Sequence, residues 1–169
     1  MKIRGMRNVA LIAASLVALP FAANADDTGT LAVSANVPKV CIVDSVGTMS
    51  FGDVNVAADT DTTADILWRC SKLSSTDIQL DDGNANNGVG ARAMSLGLED
   101  LGYELFRDSS RTLNWGETNG VDTQPVTGQG MGIPNQQTTT IYGRVTAAQA
   151  QAAAEGNNYT DSVTVTIVF

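Results

Sequence analysis

Histidine is absent from the 169 residues. That removes the usual general base of serine and cysteine triads and a common partner of cysteine at zinc. Cysteine occurs twice, at Cys41 and Cys70, too few for a structural zinc centre without help. Basic residues are scarce, ten against eighteen acidic ones, so the net charge is −8, and aromatics make up only 5%. A polyanion of this kind repels nucleic acid and anionic membrane surfaces, so no nucleic-acid partner is expected; the plainest role of the acidity is solubility. Beyond the first 25 residues no stretch offers the roughly 18 apolar residues of a spanning helix. No repeat, charge block or low-complexity linker divides the chain, whose length suits one domain with one core.

What is present starts with a leader. Lys2, Arg4 and Arg7 form a basic start, Val9 to Phe21 are nearly all apolar, and Ala23-Asn24-Ala25 fits the small-x-small rule for cleavage before Asp26. Residues 1–25 therefore read as a secretory signal peptide. Removing it takes away three of the ten basic residues and no acidic one, leaving 144 residues with a net charge of −11. An oxidising destination makes pairing of Cys41 with Cys70 the default, with two free thiols as the alternative. Closing a loop of about 30 residues would stabilise the fold by roughly 3 to 4 kcal/mol on the loop-entropy argument.

Strand signals dominate the rest. Val40 to Val43 and Met49 to Gly52 follow Pro38, with Gly52 marking a turn or bulge. In Ala64 to Cys70 the alternation puts Ala64, Ile66, Trp68 and Cys70 on one inward face, and Asp77 to Asp81 alternates as well. A polar loop from Asp82 to Gly90 leads to Arg92-Ala93-Met94-Ser95. Leu101 to Arg107, a turn at Asp108 to Arg111 and Thr112 to Gly116 form a hairpin signature. A glycine-rich segment from Gly116 to Gly132 precedes the β-branched run Thr138 to Val145. Thr146 is placed to cap a short helix through Ala154, with Gly156 suited to end it. The final run, Tyr159 to Phe169, carries Val163, Val165, Ile167 and Phe169 on one face and mostly hydroxyls on the other, as a half-buried strand does.

Short strands at this spacing, broken by glycine, asparagine and aspartate, predict an all-β, antiparallel sandwich of immunoglobulin type, with an up-and-down barrel as the competing architecture. At the front, Thr28 to Val37 alternates again, with Leu31, Val33, Ala35 and Val37 on one side, until Pro38 ends ladder pairing. By period alone that segment is either the first strand of its own sandwich or a ribbon that completes another molecule.

A resemblance bears on that choice. Leu31 to Val37, Val40-Cys41, Phe51-Gly52, Trp68-Arg69-Cys70, Tyr103 to Arg107, Trp115-Gly116, Ile141 to Val145, and Gly156 with Tyr159 to Val163 resemble, in order and spacing, the spore coat protein U family. These are pilin subunits of the archaic chaperone–usher pathway. The resemblance implies an incomplete immunoglobulin-like β-sandwich over residues 39–169, preceded by a donor-strand extension at 26–38. The partners it implies are a periplasmic pilus chaperone, an outer-membrane usher and neighbouring pilin subunits. It implies a route through the periplasm to a cell-surface pilus serving adhesion and biofilm formation. Carried to matching positions, Leu31, Val33, Ala35 and Val37 would be the donor face, Val163, Val165, Ile167 and Phe169 the acceptor and chaperone edge, and Cys41 with Cys70 the family's disulfide. Many pilins also have a penultimate aromatic; here the aromatic is terminal Phe169. The alternative function is a secreted, self-complete sandwich acting as a coat, matrix or binding protein.

Other chemistry finds little purchase, and neither catalytic residues nor a cofactor or metal is expected. The carboxylate pairs Asp59 and Asp61, Asp81 and Asp82, and Glu99 and Asp100 are expected in turns or loops, where acids bond their own backbone or face solvent. Asp82 to Ala93 departs from a calcium loop in the position of its glycine and in its twelfth residue. Trp68 is expected in the core; Trp115 is the aromatic most open to a sugar-stacking role.

Overall fold

The computed structural model describes residues 27–84, 88 and 90–169. The expected leader, residues 1–25, and part of the polar loop, residues 85–87 and 89, lie outside them. The chain divides into two units, Met1–Asn36 and Val37–Phe169. Within the first, residues 27–36 are exposed and carry no regular secondary structure. The strand expected over Thr28 to Val37 is therefore not formed, since a strand exists only by pairing and this stretch has no ladder.

Among its described residues the second unit contains eight strands, one α-helix and a 3-10 turn at Ile133–Asn135. The strands and the α-helix are β1 (Cys41–Val46), β2 (Thr60–Cys70), β3 (Ser75–Leu80), β4 (Arg92–Leu96), β5 (Glu99–Phe106), β6 (Gln124–Thr127), β7 (Gln137–Val145), α1 (Ala147–Ala152) and β8 (Val165–Val168). Five strands form one sheet in the order β1-β2-β7-β5-β4, and three form the other in the order β6-β3-β8. Every pairing is antiparallel. This is the immunoglobulin-like sandwich the turn spacing predicts, and the two separate sheets rule out the barrel.

Strand alternation converts directly into a core. Ile66, Trp68 and Cys70 of β2, Ile78 and Leu80 of β3, Leu101, Tyr103 and Leu105 of β5, and Ile141 and Val145 of β7 are all buried. Each set falls at even spacing along its strand, with Gly143 between Ile141 and Val145, so one face of each strand turns inward. Trp68 donates its indole N–H to Thr139 Oγ1 at 2.8 Å. Trp115 is also fully buried and donates to the Ile78 carbonyl at 2.8 Å, so it belongs to the core and not to a sugar-binding surface. Cys41 and Cys70 are bonded across directly opposite positions of β1 and β2.

Several local expectations are corrected. Met49 to Gly52 is not a strand; it lies in the β1–β2 connection, where Gly52 takes φ +61° and Met49 and Phe51 pack against the core. The return after Asp108 makes one isolated bridge, Phe106 with Asn114, because the Asp108 carboxylate captures the Thr112 and Leu113 amides that a second strand would use. The glycine-rich segment hides β6, whose Pro125 is tolerable because the strand is at a sheet edge. Thr146 caps α1 with Gln149 in a reciprocal capping box, but the helix stops at Ala152. Gly156 answers instead to packing, since a Cβ there would meet Leu96 Cδ2.

The final strand is shorter than its period suggests. Ser162 N–H bonds the Asp161 carboxylate and Thr164 N–H bonds that of Asp81, so regular pairing starts only at Val165. Among the described residues no helix is long and apolar enough to cross a membrane.

Candidate functional site

Each sheet leaves two edges, and they differ in how they are guarded. β6 carries Pro125. β1 carries Asp44, held in a two-pronged ion pair by Arg69 at 2.6 and 2.8 Å. β4 starts at Arg92 and is bridged at Ser95 by Thr160. β8 pairs with β3 alone, and from Val163 to Phe169 it has neither proline nor charge. Natural sheets blunt an edge with proline, charge or a covering element; the β8 edge has none of the first two.

Beside that edge the sandwich opens. A cleft of about 410 Å³ runs between the end of β1 and the approach to β8, with Val46, Val163 and Val165 on its walls. Its floor reaches Leu80, Leu105 and Ile141, which belong to the core itself. Five strands face three, and the interior is reachable from one side where the smaller sheet stops at β8. A second cleft of about 910 Å³ continues past Met49 and Phe51 toward Ala150 and Tyr159.

The expected acceptor residues divide in their surroundings. Val163 and Val165 line the cleft, and together with Ile167 they pack half-buried on the core. Ile167 sits opposite Ile78 in the ladder. Phe169 is 67% exposed, with the Lys39 ammonium 5.2 Å from its ring centroid. The four expected donor residues are all exposed, Leu31 and Val33 to 84% and 83%.

A polar scaffold that sequence reading missed positions the segment leading into β8. Asp161 Oδ2 accepts from the Tyr103 hydroxyl at 2.5 Å, and its Oδ1 accepts from the amides of Asn84 and Ser162 at 2.8 and 2.7 Å. Asp81 Oδ1 takes the amides of Gly83 and Thr164. Burial works against ionisation of Asp81, but the Thr164 and Gly83 bonds and the Arg92 charge prevail and lower its pKa. Arg92 is fully buried and donates to the carbonyls of Asp81, Leu80 and Trp115, an arrangement that satisfies an otherwise costly charge. Nothing in the local pattern Arg-Ala-Met-Ser marks that arginine as internal.

The carboxylate pairs serve structure. Asp61 lies in β2 and is bound by Arg144 at 2.8 and 2.9 Å, while Asp59 accepts from the Ala147 amide. Glu99 and Asp100 open β5, so these two and Asp61 are strand residues and not the loop residues expected. No group of three or more metal-ligating side chains occurs among the described residues.

Comparison with known proteins agrees with this architecture. A chain in the crystal structure of the CsuC–CsuE chaperone–tip adhesion subunit pre-assembly complex, from archaic chaperone-usher Csu pili of Acinetobacter baumannii, is similar in fold, with a TM-score of 0.55 and 21% identity. The match covers 79% of this chain and 40% of that one. Protein U of Myxococcus xanthus is 33% identical over 174 aligned positions, which cover 93% of each chain. Residues 27–166 match the Spore Coat Protein U domain, and on that match the chain belongs to the Spore Coat Protein U domain family.

Proposed function

We propose that this chain is a subunit of a chaperone–usher pilus, polymerised by donor-strand exchange. The observation that carries the proposal is the β8 edge: an unguarded apolar strand beside a cleft whose floor is the core. Such an edge is a template for another backbone, with main-chain bonds supplying affinity and alternate side chains supplying specificity.

Leu31 to Val37 and Val163 to Phe169 are each seven residues long with apolar side chains at alternate positions. Seven extended residues span about 23 Å. Burying Leu31, Val33 and Val37 in a neighbour would contribute roughly 1.5 to 3 kcal/mol each, before ladder bonds are counted. In this reading a periplasmic chaperone occupies the seam first. At the outer-membrane usher the 26–38 extension of the next subunit replaces it. The contact joins the front of one subunit to the seam of another, so it propagates into a fibre instead of closing on itself. Attachment and biofilm formation are the roles assigned to that fibre. Support comes from the family and from the fold shared with a chain of a chaperone–pilus subunit complex.

The test is coexpression with the chaperone and usher, with and without Thr28 to Val37. Loss of fibres with a folded, chaperone-bound body supports the proposal. Failure of the body itself to fold would make the segment an ordinary internal strand and overturn it.

A further inference from the structure

Between β1 and β2 the chain crosses the open side of the sandwich. Gly47 N–H is fixed to the Asp65 carbonyl at 2.8 Å and Asn55 N–H to Thr60 Oγ1 at 2.9 Å. Among the described residues, Thr48–Val54 between these anchors makes no hydrogen bond. It is held by side chains alone, and Gly52 at φ +61° lets it reverse direction.

Those side chains occupy core space. Gly143 sits at an inward position of β7, between buried Ile141 and Val145. A Cβ on Gly143 would lie 2.5 Å from Met49 Sδ and 3.0 Å from Phe51 Cζ, so Met49 and Phe51 fill the place a side chain there would take. The Phe51 ring also lies 6.1 Å from that of Tyr103. The same two residues, with Met94, Tyr159 and Thr160, line both the 410 Å³ cleft and the 910 Å³ cleft. They are the partition between them.

From this geometry we infer that Thr48–Val54 is a lid across the seam, plugged by Met49 and Phe51, which swings aside to admit an incoming strand. The inference rests on the strand-addition reading above. Met49 and Phe51 stand in the cleft that the donor's apolar side chains would enter, over the inward face of β7, so that part of the floor is reached only when the segment moves. The lid covers part of the floor in the unpaired subunit and yields it to the donor. When only the lid-open fraction can bind, the observed association rate falls by that fraction.

The test is stopped-flow association of a fluorescent peptide, Thr28 to Lys39, with the full-length folded protein and with a Met49→Ala, Phe51→Ala double variant. Truncating the plug is expected to speed association about tenfold, because more of the population is open. Equal rates would overturn the lid and leave strand addition standing. No binding to the unmodified protein would overturn both. Should the double variant fail to fold, the Met49 methyl resonance of the unmodified protein decides: it is expected to shift when the peptide binds, and an unchanged resonance overturns the lid.

Discussion

The Tyr103 hydroxyl donates to Asp161 Oδ2 at 2.5 Å, tying β5, an inner strand of the five-stranded sheet, to the segment that delivers β8. Burial first, and the Asp161 bond second, hold the phenol's pKa far above its ordinary value of 10. An unfolded tyrosine ionises near 10, so the stability linked to Tyr103 is complete below that pH and falls as pH rises above it. Tyr103→Phe should cost about 1.5 to 3 kcal/mol at neutral pH, since the lost bond is to a charged acceptor. It should also flatten the decline between about pH 10 and 11. Urea unfolding of both proteins across that range measures the two effects.

At the acid end Asp44 is one contributor, with Asp61, Asp81 and Asp108 also held below the usual carboxylate range. The bond of Asp44 to Arg69, reinforced by Gln136, lowers its pKa from 3.8 to about 2. Because the folded value is the lower one, its contribution is present above the unfolded pKa and is lost as pH falls from about 4 toward 2. Asp44→Asn should therefore destabilise the protein at pH 7 and match the unmodified protein near pH 2, as read by thermal unfolding at both values.

The Cys41–Cys70 bond links residues 29 apart in sequence and directly opposite in the ladder. Replacing both with serine should lower unfolding free energy by about 3 to 4 kcal/mol, and reductant should then have no further effect. Denaturant titration with and without dithiothreitol tests this.

A charge on the extension separates assembly from folding. Val33 is exposed, so Val33→Asp should change the stability of the monomer by no more than about 0.5 kcal/mol. Buried in a neighbour's seam, the same carboxylate would have no partner, and fibres should be absent from micrographs. Fibres at ordinary abundance would argue against the donor role.

Much of the sandwich was legible because burial alternates along single strands: Ile66, Trp68 and Cys70, or Ile141 and Val145, announce a face by period alone. The pairing of β4 with β5 is not visible in that way, nor is β6 behind its glycines. Met49 and Phe51 carried a correct apolar signal attached to the wrong element, since a loop plugging a core shows the same alternation as a strand. Trp115 looked open because its neighbours are glycine and asparagine, yet it is anchored by a carbonyl from β3. Arg92 and Tyr103 are ladder partners on β4 and β5, and Tyr103 meets Asp161 in the approach to β8; no local pattern joins residues so far apart in sequence. On β8 the apolar row was legible, but its pairing is delayed to Val165 by its own Asp161 and by Asp81, which follows β3.

The most direct measurement is an electron cryomicroscopy structure of the assembled fibre. The account predicts that the free side of β8 is paired along Val163 to Phe169 with Leu31 to Val37 of a neighbouring subunit, whose apolar side chains enter the cleft. A fibre in which β8 is flanked on both sides by strands of its own chain, with the neighbour's extension elsewhere, would contradict it.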